Sequence, residues 1–100
     1  MTKTLLTLIM PDDVAQHVED LLLQHPERVP GFTSTATYGH GPAVPLLEAS
    51  DLVSGHTPRT QIQMLGPETD MRAVLDIIKE ELPRAHIFFW LQPVIEAGYL

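Results

Sequence analysis

Apolar residues occupy nearly every position from Thr4 to Met10, with β-branched residues among them. Such a run predicts a strand buried on both faces. Pro11-Asp12-Asp13 then opens a helix, because carboxylates in a first turn meet orphan N–H groups and the positive end of the dipole. Val14, Val18, Leu21 and Leu22 form one helical stripe. Gln24-His25-Pro26 ends it, since the residue before proline leaves the α region. From Phe32 to Tyr38 the chain alternates, with Thr33, Thr35 and Thr37 set against Phe32, Ser34, Ala36 and Tyr38. That is a second strand with one face of threonines. A third runs from Arg59 to Leu65, Ile62 and Met64 opposed to Gln61 and Gln63. Gly66 to Asp70 reads as a turn with an N-cap at Thr69. Met71, Val74, Leu75, Ile78 and Leu82 make a second helical stripe, closed by Leu82-Pro83. Ala85 to Leu91 is a fourth strand.

The order β-α-β-β-α-β predicts an α+β, ferredoxin-like sandwich in one domain, residues 1–100. Two helices cover one face of a four-stranded antiparallel sheet, and right-handed crossovers place strands one and three at its centre. The fourth strand carries a consequence. Ile87, Phe89 and Leu91 point one way and Phe88 and Trp90 the other, yet helices cover one face only. An aromatic patch of that size is rarely left in water. Self-association through Phe88 and Trp90 into a closed cyclic oligomer is expected. The alternative is that the tail, Gln92 to Leu100, folds back as a cover.

Composition narrows the function. The formal charge is -7, with 13 acidic residues against 6 Lys and Arg. Without a basic cluster, nucleic acid and anionic lipid are poor partners. There is no cysteine, which excludes disulfides, iron–sulfur clusters and thiolate zinc sites. The opening residues read as a strand rather than a signal peptide. No stretch approaches the roughly 18 apolar residues of a membrane span, so the cytoplasm is the expected compartment. No nucleophile motif is present, and pairs such as Asp12-Asp13 and Glu80-Glu81 read as helix-end charges. An enzyme is not expected.

The long connection between strands two and three holds the candidate chemistry. It begins with Gly39-His40-Gly41, ends with Gly55-His56, and carries Pro42, Pro45, Glu48 and Asp51 between. Connections of this length in compact domains are usually functional or disordered. If the flanking strands pair, His40 and His56 approach each other. Neutral imidazole suits zinc, copper and nickel, and Glu48, Asp51 or a symmetry-related histidine completes a candidate metal site. The alternative is exposed histidines beside turn glycines. Arg59 either binds an anion bidentately or pairs with Glu48 or Asp51 to hold the loop. Arg84 and His86 are further candidate anion ligands, with strand-end capping as the alternative for His86. Phe88 and Trp90 suit an interface core better than adenine stacking. His17 and His25 sit two turns apart on the first helix and read as structural.

Gly39-His40-Gly41, Leu47 with Asp51-Leu52-Val53-Ser54-Gly55, Arg59, Ile87-Phe88 with Trp90, and Pro93-Val94-Ile95-Glu96-Ala97-Gly98 form an arrangement spanning nearly the whole chain. In that arrangement the chain resembles the PII-like superfamily, and within it a branch of unknown function encoded beside heavy-metal efflux systems. The resemblance implies a ferredoxin-like trimer with a long loop between strands two and three. It also implies a regulator or sensor, with a metal-efflux membrane protein as a possible partner. Nucleotide-binding members carry a glycine-rich, lysine-bearing turn before the last strand, where N–H groups and lysine meet phosphates. Here that segment is Glu80-Glu81-Leu82-Pro83-Arg84-Ala85-His86, so ATP binding in that mode is not expected. The leading reading is a loop, residues 40–57, hinged at its glycines, whose Val44, Leu46 and Leu47 contact a partner. A second is an anion or nucleotide between subunits near Arg59, Arg84 and His86. A third is a pure interaction module.

Overall fold

The structure, a computed structural model, describes residues 3–41 and 56–100, position 56 by its backbone alone. Among them β1 (Lys3–Pro11), α1 (Asp12–Leu23), β2 (Thr33–His40), β3 (His56–Gly66), α2 (Glu68–Glu81) and β4 (Phe88–Val94) follow in that order. The strands form one antiparallel sheet ordered β2-β3-β1-β4. β3 and β1 take the centre, as right-handed crossovers require.

Both helices lie on one face. Leu6, Leu8 and Met10 of β1 and Ile62 and Met64 of β3 join Ala15, Val18 and Leu22 of α1 and Met71, Val74 and Ile78 of α2 in a single buried cluster. The period-two alternation of the strands and the 3.6 period of the helices therefore converge on one layer. The other face of β1 is only partly covered: Thr7 is fully buried, while Leu5 and Ile9 are half-buried.

Several boundaries differ from the sequence expectation. α2 begins at Glu68, with Pro67 rather than Thr69 as its cap (φ −57, ψ 147) and no side-chain cap bond. The Pro67 carbonyl accepts from the N–H groups of Asp70 (3.0 Å) and Met71 (3.1 Å), and proline's fixed φ suits that entry. Asp70 is taken up by Arg28, whose Nη1 donates to Oδ1 at 2.9 Å and ties the α1–β2 connection to α2. β4 begins at Phe88, three residues later than the apolar run suggests. Arg84 and His86 have φ of 63 and 57, and left-handed residues cannot join an extended ladder. The strand continues instead through Gln92 to Val94, and Pro93 is tolerated because β4 is an edge strand. Last, β2 and β3 run further than Tyr38 and Arg59, because their pairing continues to His40↔His56.

His25 lies just beyond the end of α1: its carbonyl accepts from the N–H groups of Arg28 and Val29, and its Nδ1 lies 3.5 Å from Glu27 Oε1. No helix of the described residues is long and apolar enough to cross a membrane.

Candidate functional site

The β2–β3 hairpin outruns the rest of the sheet. β1 ends at the pair Pro11↔Arg59, but β2 and β3 go on through Tyr38↔Pro58 and Gly39↔Thr57 to His40↔His56. Positions 40 and 56 are thus direct register partners at the base of the long connection. Directly opposite positions of an antiparallel pair share a face, with Cβ atoms about 4.5–5.5 Å apart. Gly41 follows with φ of +106, a conformation that favours glycine and turns the chain out of the ladder. Thr57 and Arg59 are buried at 2% and 4% exposure. By alternation Arg59 shares the face of Gln61 and Gln63, opposite the helices. Glu48, Asp51, Val44, Leu46 and Leu47 lie outside the described residues. Among the described residues no three metal-ligating side chains stand together.

A second feature lies on the helix side. A cleft of about 700 Å³ opens between α2, the α2–β4 connection and the sheet. It forms because both helices pack over the central strands and leave the helix-side face of β4 uncovered at Phe89, which is 49% exposed. Arg84 and His86 line this cleft, but Arg59 does not. The three candidate anion ligands therefore divide: two at the cleft, one on the opposite face. All three stand near the same end of the sheet, since Arg59 is opposite Pro11 and Phe88 is opposite Ile9. Sequence reading passed over Arg72 and Lys79, which also line the cleft. Their signal was available in the crowding of cations between residues 72 and 84.

The open sheet face is the third feature. Phe88 sits opposite Ile9 and Trp90 opposite Thr7, whereas Phe89 and Leu91 oppose Leu8 and Leu6 of the core. The two-faced reading of the fourth strand therefore holds over residues 88–91. Phe88 and Trp90 are 67% and 38% exposed, with ring centroids 6.0 Å apart and planes tilted 56°. Trp90 Nε1 donates to Gln92 Oε1 at 2.8 Å, and Gln63 Nε2 to the buried Thr7 hydroxyl at 3.2 Å. The tail does not fold back as the cover: Ile95, Tyr99 and Leu100 are all fully exposed. Within one chain the aromatic pair stays open to water.

These features define a ferredoxin-like fold, a four-stranded antiparallel sheet with two helices on one face. Over residues 1–100 the sequence matches the family described as "Protein of unknown function (DUF3240)", and the chain belongs to that family. Solved structures that share the fold include these three. A DUF3240 family protein from Shewanella baltica OS155 is 20% identical, with a TM-score of 0.80, and the match covers 100% of this chain and 98% of that one. CPII from Thiomonas intermedia K12, a nitrogen regulatory PII-like protein bound to ADP, AMP and bicarbonate, is 15% identical with a TM-score of 0.72, covering 100% and 98%. The periplasmic divalent cation tolerance protein CutA from Archaeoglobus fulgidus is 9% identical with a TM-score of 0.70, covering 96% and 87%. No curated protein matches the chain.

Proposed function

We propose that this protein is a non-enzymatic regulator or sensor, assembled as a trimer through its open sheet face, that takes up a divalent metal or a partner protein through residues 40–57. One observation carries the reading: His40 and His56 are direct register partners where the connection leaves the sheet. Histidines at opposed positions suit a zinc, copper or nickel ion. Glu48, Asp51 or a histidine of another copy supplies the remaining ligand. An ion bound there pins both ends of the connection at once. Binding thereby sets how Val44, Leu46 and Leu47 meet a partner, such as a metal-efflux membrane protein. The likeness to a PII-like regulatory protein and to a divalent cation tolerance protein supports this class of function.

The test is thermal unfolding with zinc, copper and nickel. A metal at about 100 times its dissociation constant stabilises by about 2.7 kcal/mol, or about 10–20 °C in a domain of this size. The shift is expected in the native chain and lost in the His40→Ala/His56→Ala variant. A shift that survives the double substitution removes these ligands from the reading, and no shift with any of the three metals removes the metal.

A second reading is an anion held between subunits by Arg59 of one copy and Arg84 and His86 of another. The shared sheet end of these residues favours it. Calorimetry with ADP, in the native chain and in Arg84→Ala, tests it: heat that disappears with Arg84 supports this reading over the loop.

A further inference from the structure

The cleft between α2 and β4 is built from two kinds of side chain. Its floor is apolar: Leu8, Leu75, Ile78, Leu82, Ile87 and Phe89. Its rim is cationic, with Arg72, Lys79, Arg84 and His86 set against a single carboxylate, Asp76. Three of the chain's 6 Lys and Arg thus gather at one cleft of a protein with net charge -7. Arg72 is occupied, its Nε donating to Glu68 Oε2 at 2.7 Å. Among the described residues, neither Lys79 nor Arg84 enters a salt bridge. No serine, threonine, asparagine, glutamine or glycine lines the cleft.

The backbone adds an independent observation. Arg84 and His86 both lie in the left-handed region, at φ of 63 and 57. A non-glycine residue there is uncommon and carries strain, and such strain collects at ligand sites. Glycine would satisfy both positions at lower cost. A cation and an imidazole stand there instead, and both side chains line the cleft.

We propose that this cleft binds a small amphipathic monoanion, an aliphatic or aromatic carboxylate. The apolar floor takes the hydrocarbon, and Lys79, Arg84 and His86 take the charge. The volume falls within the usual range for small-molecule sites, about 300–1,000 Å³. A nucleotide is a poorer fit. A purine edge needs neutral hydrogen-bonding side chains, and a polyphosphate is best met by a run of backbone N–H groups in a glycine-rich turn. The site uses neither the 40–57 connection nor the open sheet face, so it stands or falls apart from the metal reading.

The experiment is displacement of the fluorescent probe 1-anilinonaphthalene-8-sulfonate from the full chain by hexanoate, octanoate, decanoate, decanol and ADP. Carboxylate affinity is expected to rise about fourfold per added methylene, the fold-change of burying one CH₂ group. Lys79→Gln/Arg84→Gln is expected to weaken decanoate by roughly tenfold or more, as for loss of a charge-assisted contact, and to leave decanol unchanged. Because decanol binding reports an intact floor, it separates loss of charge recognition from loss of fold. Phe89→Ser weakens both ligands. Trp90→Glu leaves both unchanged, which places the ligand away from the open face. The proposal is overturned if decanol matches decanoate in the native chain. It is equally overturned if the double variant keeps full decanoate affinity, if Trp90→Glu abolishes binding, or if ADP displaces the probe better than decanoate.

Discussion

Trp90→Glu is expected to split the proposed assembly into single chains without unfolding them. In one chain Trp90 is 38% exposed, on the face away from the helices, so the new carboxylate reaches water and the core is untouched. In an assembly that covers Phe88 and Trp90, the same carboxylate is buried without a partner, which costs about 3–5 kcal/mol. The lost indole adds to this, because a central tryptophan in an interface is commonly worth 2 kcal/mol or more. At 1.4 kcal/mol per tenfold, each interface weakens by at least about a thousandfold. Phe89→Ser is the matched control, since Phe89 opposes Leu8 on the helix side and its loss leaves assembly intact. Sedimentation velocity reads the mass directly. Because the chain has one tryptophan, its emission in the native protein also reports the covering of this face on concentration. A native chain that sediments as a single protomer at about 100 µM removes the premise that the aromatic face is covered by copies. A Trp90→Glu variant that keeps the native mass moves the interface elsewhere.

The choice between a copy and the tail as cover shows how far the sequence could be read. That the fourth strand has two apolar faces follows from alternation alone, and Phe88 and Trp90 indeed face away from Leu6 and Leu8. What the tail does was not legible. Ile95, Tyr99 and Leu100 are apolar enough to pack back on the sheet, and only the backbone path shows that they leave it. The helices and the two middle strands were legible by their periods, the first and fourth strands as short apolar runs, and the strand order followed from crossover handedness.

Boundaries failed for specific reasons. Ala85, His86 and Ile87 read as strand because the apolar run outweighed the one local cue to a left-handed backbone. Histidine is enriched at positive φ, as asparagine and aspartate are, but arginine is not, so His86 carried a signal that Arg84 did not. Thr69 read as an N-cap because its hydroxyl is a common acceptor. Pro67 instead sets the entry two residues earlier by fixing its own φ. The register partnership of His40 and His56 was legible in kind, since paired strands bring the ends of their connection together. The cleft was not, because it arises from what the helices leave uncovered rather than from any motif.

The same geometry makes β1 the element on which both faces depend. Its even positions, Leu6, Leu8 and Met10, fill the core and are fully buried, while Leu5, Thr7 and Ile9 underlie the open face. Leu6 stands between Met64 of β3 and Leu91 of β4, so it also seats the strand that carries Phe88 and Trp90. Leu6→Ala is therefore expected to be among the most damaging single changes. Truncating a buried leucine costs about 2–5 kcal/mol, from lost transfer energy and from the cavity left behind. A central strand cannot shift to refill the gap without breaking its ladders on both sides, which places Leu6 toward the upper end. At roughly 4–8 °C per kcal/mol for a domain of this size, the melting temperature falls by about 15–40 °C. Leu23→Ala is the comparison, because Leu23 on α1 is 68% exposed and its truncation should stay within about 0.5 kcal/mol. Both are measured by urea unfolding at one protein concentration in the Trp90→Glu background, because assembly stabilises the native state by mass action. If Leu6→Ala costs less than about 1 kcal/mol there, β1 is not the packed centre of the sheet. The division of its two faces into core and open surface then fails with it.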